Sequence, residues 1–361
     1  MPIDVNQPYQ NLPALPPAKE LHSLRLSRAT IAAARALAQA NATSQMLPNP
    51  SILIHAIPLL EAQASSEIEN IVTTNDELFR AASEVGPTTP ATREALRYRT
   101  ALYDGLEAIR RRPLSINTAK TVCTSIRGIE TDLRSGTGTF IGNPISHRRI
   151  YTPPEGKDVI SGHLNAWEKF LHENRDFDPL VKLAMLHYQF EAIHPFPDGN
   201  GRTGRILNVL YLVNEQLLDL PVLYLSGYIV EHKDEYYRLL NGVTQDGAWE
   251  EWILFILNAV TVTSDWLTSL VKTIRDMLDN VIAELRATSM PARDLAHVLF
   301  EKPYLRYDDL MTSGSVSRPT ATKWAAELET LGVLERSREG RAVVFTNRPY
   351  LELLFHTPLP R

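Results

Sequence analysis

From Leu21 to Gln39, leucine and alanine recur at helical spacing between arginines and serines, which predicts an amphipathic helix. The run "LPNPSILIHAIPLLEAQASSEIENI" repeats the period: Asn49 and Pro50 form a helix entrance, and Pro58 is expected to kink or restart the helix. More helix follows to Pro113, broken at "GPTTP", with Thr89 as the cap of the next helix and Pro90 at its first position. "SINTAKTVCTSIRGI" is another helix. The texture then changes: "RSGTGTFIGNPISHRRIYTPPEG" mixes glycines and prolines with β-formers and predicts a hairpin or extended flap. Helical pattern resumes at Asp158 and runs through "DPLVKLAMLHYQFEAI", "RILNVLYLVNEQLLDL" and "EYYRLLNGVTQDGAWEEWILFILNAV". A long helix from about 261 to 287 reads as a connector. The last seventy or so residues read helix, helix, turn, helix and a two-stranded ribbon with Glu339 and Gly340 at its tip; Ser317 caps the last of these helices and Pro319 lies in its first turn. That order is a winged helix-turn-helix. The expected fold is mainly α, divided into residues 1–85, 86–265, 266–290 and 291–361.

Composition adds limits. A net charge of −5 over 361 residues implies no general attraction to nucleic acid or to an anionic membrane. The single cysteine, Cys123, cannot form an internal disulfide, and its apolar surroundings point to packing rather than nucleophilic catalysis. The proline-rich start has no basic end followed by an apolar core, so no secretory leader is expected there. No apolar run approaches the ~20 residues that span a bilayer. The expected location is the cytoplasm, without membrane contact.

The densest chemistry lies in "AIHPFPDGNGRTGRILNVLYL". Pro195 and Pro197 end the preceding helix and fix His194 at a helix-to-loop junction. Gly199 and Gly201 permit a tight turn and close approach. The next helix begins near Arg202, and its first N–H groups together with its dipole favour an anion. Arg202 and Arg205, three apart, share a face and suit phosphate oxygens. Asp198 beside this cradle suits Mg²⁺, which takes one or two protein ligands plus phosphate oxygens. His194 can accept a proton near neutral pH. The set points to phosphoryl or nucleotidyl transfer. No Gly-Lys-Ser/Thr follows, so this is not a Walker A loop; no strand precedes it, so it is not a Rossmann fingerprint.

From His194 to Arg205 the chain matches His-x-Phe-x-Asp-Gly-Asn-Gly-Arg-x-x-Arg without departure, and so resembles the Fic family. The resemblance covers roughly residues 50–260, and the C-terminal winged helix is similar to an arrangement common among bacterial Fic proteins. It implies a helical Fic core with a β-hairpin flap, and transfer of AMP from ATP to a Ser, Thr or Tyr hydroxyl with release of pyrophosphate. The implied roles are His194 as base, Phe196 as buried anchor, and Asp198 as the Mg²⁺ ligand. Asn200 and the N–H groups around Gly199 and Gly201 would hold the α-phosphate, Arg202 the β-phosphate and Arg205 the γ-phosphate.

Three further stretches gain meaning from the resemblance. "HRRIYTPPEG" would be the flap core, with Ile150 and Tyr151 near a target segment held by strand addition. Tyr236 or Tyr237 would lie beside the adenine, Tyr237 being favoured; adjacent helical positions point about 100° apart, so only one can stack. Thr244 stands where some relatives carry asparagine, and Gln189 is a weaker pocket residue. Upstream, "SSEIEN" matches an inhibitory Ser/Thr-x-x-x-Glu-Gly/Asn motif: Ser65 and Glu69 share a helix face, and Asn70 follows. Glu69 would reach Arg205 and take the place of the γ-phosphate. In some relatives this glutamate positions water for removal of AMP, so the reverse activity stays open, as does another nucleotidyl or phosphoryl transfer on the same fold.

The rival reading is a DNA-binding regulator with an accessory Fic core. Residues 291–361 carry 10 Lys+Arg against 9 Asp+Glu, a weak footprint for a DNA reader. The wing is locally basic through Arg336, Arg338, Arg341 and Arg348, while the recognition helix sets Arg318 and Lys323 against Glu327 and Glu329. Protein contact, dimerisation into a homo-oligomer, or docking of a target fit these charges equally well. The target is another protein or the chain itself.

Overall fold

A computed structural model describes residues 4–18, 21–142, 149–340 and 342–360. The fold is mainly helical, as the periodicity predicts. The first helices are α1 (Leu24–Ser44), α2 (Ser51–Ile68), α3 (Asn75–Ala82), α4 (Pro90–Arg111) and α5 (Ile116–Arg127). A two-stranded ribbon of β1 (Ile141–Gly142) and β2 (Arg149–Tyr151) leads into α6 (Lys157–Glu173), α7 (Pro179–Ile193), α8 (Asn200–Asn214), α9 (Leu225–Glu231) and α10 (Lys233–Asp246). Then come α11 (Trp249–Leu285), α12 (Ala292–Glu301), β3 (Tyr304–Leu305), α13 (Tyr307–Gly314), α14 (Arg318–Thr330), β4 (Glu335–Glu339), β5 (Ala342–Thr346) and α15 (Arg348–His356).

The helix ends carry the expected caps. Thr89 Oγ1 accepts the Thr92 N–H at 3.1 Å, and Pro90 opens α4. Asn49 Oδ1 accepts the Ser51 N–H at 3.0 Å at the start of α2. Ser317 occupies the N-cap of α14 without a side-chain cap bond. Pro58 does not divide α2. It removes one backbone donor, and α2 buries most of its side chains from Ile52 to Ile68, an apolar gain that outweighs the ~3 kcal/mol penalty of an interior proline. The helix expected from about 261 to 287 is the second half of α11, which runs unbroken from Trp249. By length and a mean hydropathy of 1.4, α11 could cross a bilayer, contrary to the expectation from run lengths; 67% of that window is buried inside the protein, the property of a core helix.

The chain forms two compact units. The first gathers residues 1–38, 97–221 and 225–262; the second gathers 39–96, 222–224 and 263–361. In the first, α5, α7 and α8 pack together around Phe190, Phe196, Ile206 and Leu210. Gly105 permits close approach there, since a Cβ on it would come within 2.5 Å of Leu210 Cδ1. The ribbon is antiparallel, pairing Ile141 with Tyr151 and Gly142 with Arg149 across an irregular register. The expected flap residues His147 and Arg148 lie outside the described residues.

In the second unit, β3, β5 and β4 form an antiparallel sheet in that order beside α12, α13 and α14, an arrangement compatible with the expected winged helix. The strand β3 and the helix α15 had no counterpart in the sequence reading. Here α2 and α3 pack against the C-terminal elements. Asn49 Nδ2 donates to Glu301 Oε2 at 3.1 Å, and the Phe79 and Phe355 rings meet edge to face at 5.2 Å. Tyr304 OH donates to Asp76, and Arg80 pairs with Glu339 of β4.

Candidate functional site

The site grows from the end of α7. Every residue of this helix from Leu180 to Ile193 is buried. It stops because His194, the residue before Pro195, takes the left-handed conformation (φ 50°, ψ 60°), with its N–H on the Phe190 carbonyl at 3.1 Å. That conformation costs a non-glycine residue roughly 1–2 kcal/mol, so surrounding contacts must hold it. Tyr151 OH donates to the Ala192 carbonyl at 2.9 Å. Arg134 Nε donates to the His194 carbonyl at 2.7 Å, and its Nη2 donates to the Ile193 carbonyl at 3.1 Å.

The loop after His194 is closed from inside. Phe196 is 0% exposed and lies 6.3 Å from the Phe190 ring. Asn200 Oδ1 accepts the Phe196 N–H at 2.7 Å, and Asn200 Nδ2 donates to the Phe196 carbonyl at 2.8 Å. An N–H can only donate and a carbonyl can only accept, so this pair fixes the amide's orientation. Asp198 is exposed; its Oδ1 accepts the Gly199 N–H at 2.7 Å, and its carbonyl accepts Cys123 Sγ–H at 3.3 Å. Burial pushes the Cys123 thiol up to about 11. Gly199 (φ 80°) is the left-handed N-cap of α8, a conformation that asks for glycine. The α8 N-terminus therefore opens with Asn200, Gly201 and Arg202 directly behind the histidine. Arg202 and Arg205 are buried in its first turns, Arg205 to 1% exposure. At Gly204 a Cβ would meet Glu191 Oε1 at 2.1 Å, so the Glu191 side chain of α7 packs directly on the bare backbone of α8.

The neighbouring aromatic residues separate cleanly. Tyr236 is core: its OH bonds His187 Nε2 at 2.9 Å and its ring lies against Trp252 and Phe255. Tyr237 is half-buried and meets Tyr236 edge to face at 5.2 Å. His187, unremarked in the sequence reading, is driven down to about 3 by burial and then by the Arg205 charge, so its imidazole is neutral. Thr244 is buried with its hydroxyl 2.8 Å from Tyr188 OH. Gln189 is buried, and its Oε1 has no hydrogen-bond partner.

The first unit thus joins His194, Phe196, Asp198, Gly199, Asn200, Gly201, Arg202 and Arg205 in one turn, with Gln189 on the helix entering it. The flap expectation is corrected in part. Ile150 is 42% exposed, but Tyr151 is 8% exposed and its side chain supports the end of α7 instead of facing outward. The side-chain amide of Asn200 bonds the Phe196 backbone within the loop. Arg134 was missed because it stands sixty residues upstream within the flap stretch.

Ser65, Glu69 and Asn70 belong to the second unit. Ser65 is buried in the last turn of α2, and Glu69 is its C-cap. Asn70 has φ 62°, its N–H bonds the Glu67 carbonyl, and the Ile71 N–H bonds the Ser66 carbonyl, each at 3.0 Å. This is a Schellman cap, whose left-handed residue is usually glycine or asparagine. Helix-end geometry therefore accounts for the last position of the motif.

In the C-terminal elements, Arg318 lies 4.1 Å over the Tyr307 ring and 3.6 Å from Asp308, and Glu339 at the end of β4 is held by Arg80. Arg341 lies outside the described residues. Among the described residues no group of three or more His, Cys, Asp or Glu comes together, so no all-protein metal cage is present there. An exposed single carboxylate, Asp198, fits Mg²⁺, which keeps most of its ligands as water and phosphate oxygen.

Residues 27–107 match the Fic/DOC family N-terminal domain, residues 119–212 the Fic/DOC family domain, and residues 277–350 the C-terminal domain of SoFic-like protein adenylyltransferases. The chain is 33% identical over 121 residues to the protein adenylyltransferase Fic of Aedes aegypti, covering 32% of this chain and 23% of that protein. It is 37% identical over 79 residues to a probable protein adenylyltransferase of Aquifex aeolicus, covering 22% and 24%. It thus spans about a quarter of the length of these curated relatives. A Fic family protein of Desulfovibrio desulfuricans G20 shares the fold with a TM-score of 0.58 at 22% identity, over 91% of this chain and 97% of that one. Residues 134–508 of Fic-1 from C. elegans give 0.52 at 19%, over 69% and 74%.

Proposed function

The chain belongs to the Fic/DOC family, and from that premise we propose that it transfers AMP from ATP to a hydroxyl side chain of a target protein. The observation that carries this reading is the single turn in which His194, on a left-handed cap, leads into the glycine-capped N-terminus of α8 with Arg202 and Arg205 buried behind it. A helix N-terminus with two arginines favours a polyphosphate over a neutral ligand. The target hydroxyl oxygen attacks the α-phosphorus, the bond to the bridging oxygen breaks, and pyrophosphate leaves. His194 takes the hydroxyl proton. Backbone N–H groups of the α8 start receive the α-phosphate, and Arg202 and Arg205 balance the charge of the outer phosphates. Asp198 would hold Mg²⁺, which when bound neutralises phosphate charge. Tyr237 has the half-buried ring suited to an adenine, and Ile150 the exposed position on the flap.

Glu69, in the Ser65–Asn70 motif, restrains this activity. That step rests on the motif match. We place the reaction in the cytoplasm, where Cys123 stays a thiol. The test is mass spectrometry of the Glu69→Gly protein incubated with ATP, Mg²⁺ and cell lysate. AMP-sized additions to a protein, lost with His194→Ala, are expected. Addition of UMP or phosphate, or an AMP signal indifferent to His194, would overturn the assignment.

A further inference from the structure

Four consecutive carbonyls at the end of α7 are bound, and residues 134 and 151 bind them all. Ala192 receives Tyr151 OH at 2.9 Å. Ile193 receives Arg134 Nη2 at 3.1 Å, and His194 receives Arg134 Nε at 2.7 Å. Pro195 receives the peptide N–H of Arg134 at 2.9 Å. The same Nη2 also donates to the Pro154 carbonyl at 2.5 Å, three residues beyond β2. Arg134 as a whole is 4% exposed.

The last carbonyls of a helix have no partner within it, and the negative end of its dipole favours a cation. Arg134 answers both needs at once. Its planar fork reaches three carbonyls from one rigid group, which an ammonium on a flexible stem cannot do in the same geometry. The consequence falls on His194, whose backbone is held in an unfavourable left-handed conformation with bonds on its own carbonyl and on both flanking ones. The contact to Pro154, with the Tyr151 hydroxyl, ties the base of the flap to the same point.

We propose that Arg134 is a positioning residue for the transfer reaction: it sets the backbone of His194 and couples that histidine to the flap. This rests on the reading of His194 as the base. Arg202 and Arg205 lie past the Asn200–Phe196 closure, and none of the Arg134 bonds given above reaches them.

The test compares Arg134→Met and Arg134→Lys in the Glu69→Gly chain. A reacting group misplaced by about 1 Å can lose about 10²-fold in rate. Arg134→Met should lower single-turnover transfer from α-labelled ATP by about that factor at saturating nucleotide, with the Kd for ATP·Mg²⁺ moving less than about threefold. Arg134→Lys should recover part of the rate. A role in general folding would lower rate and affinity together with the melting temperature. An unchanged rate, or a loss of rate matched by a loss of affinity, overturns the proposal. If Arg134→Met gives no cooperative melt, Arg134→Lys and Tyr151→Phe decide on the same two readouts. If the Glu69→Gly chain shows no His194-dependent transfer, the adenylyl reading fails by itself. Hydrogen exchange then decides this one: Arg134→Lys should speed exchange across residues 194–200 at least about tenfold relative to α14, and no change there overturns it.

Discussion

Replacing Asn200 with alanine removes both side-chain bonds that close the loop between α7 and α8. The Phe196 N–H and carbonyl, now joined to Asn200 at 2.7 and 2.8 Å, would be stranded in a buried place. A net hydrogen bond contributes about 0.5–1.5 kcal/mol, and a stranded buried group costs about 1–3 kcal/mol. Water entering the opened loop recovers part of the second figure, so the two losses together disfavour the closed loop by about 2–4 kcal/mol. If that falls on local opening, exchange of the Phe196 amide should rise about 30- to 1,000-fold. Hydrogen-exchange mass spectrometry on peptides spanning 194–200 reads this directly, with α14 in the other unit as the unchanged reference. Asn200→Asp should not restore protection: the carboxylate still accepts the Phe196 N–H, but it cannot donate to the carbonyl and sets a charge against it. Phe196 exchange within about threefold of the parent in Asn200→Ala would refute the claim that this amide pair holds the loop.

Three other outcomes are expected. Glu69→Gly should raise label transfer from α-labelled ATP at least about tenfold, within the usual range of a coupling free energy, and adding His194→Ala should abolish it; equal transfer with and without Glu69 would remove the brake. Cys123, with its thiol pushed up to about 11 by burial, should resist thiol reagents at pH 8 in the native protein and react after denaturation. His187 is held down to about 3 against an unfolded value of about 6.5, so its contribution to stability is present above about pH 6.5 and lost as pH falls towards 3. His187→Gln should therefore flatten the fall in melting temperature between pH 6 and 4, and an unchanged slope would count against that assignment.

What could be read in the sequence was what neighbouring residues encode. Helical period, the proline stops at Pro195 and Pro197, the cap at Thr89 and the glycine at the start of α8 are local hydrogen-bond arrangements, and each reappears in the fold. Residues whose role depends on a partner far along the chain were not readable. Arg134 sits in a glycine-rich stretch that looks like loop, and its partners are 20 and 59–61 residues away. His187 lies in an apolar helix with no motif around it; Tyr236 and Arg205 give it meaning. Tyr151 has a strand-former's sequence context on the flap, yet its hydroxyl belongs to α7. The unbroken α11 escaped notice because a connector and a core helix have the same period; burial alone distinguishes them.

The left-handed residues explain why the loop needs such remote support. His194 ends one helix and Gly199 starts the next, so the histidine and the N-terminus of α8 stand five residues apart. Glycine takes that conformation freely, whereas histidine does not. A short loop with an unfavourable φ and a row of bare carbonyls cannot hold itself by local bonds. Asn200 closes it from within, and Arg134, Tyr151 and Cys123 close it from outside. The Ser65–Asn70 motif meets the same constraint locally: Asn70 supplies its own left-handed cap, and the Glu69 N–H bonds the Ser66 carbonyl. Motif residues at helix ends are thus visible by their glycine, proline and asparagine, while the side chains that make a non-glycine cap tenable are visible only once the chain is folded.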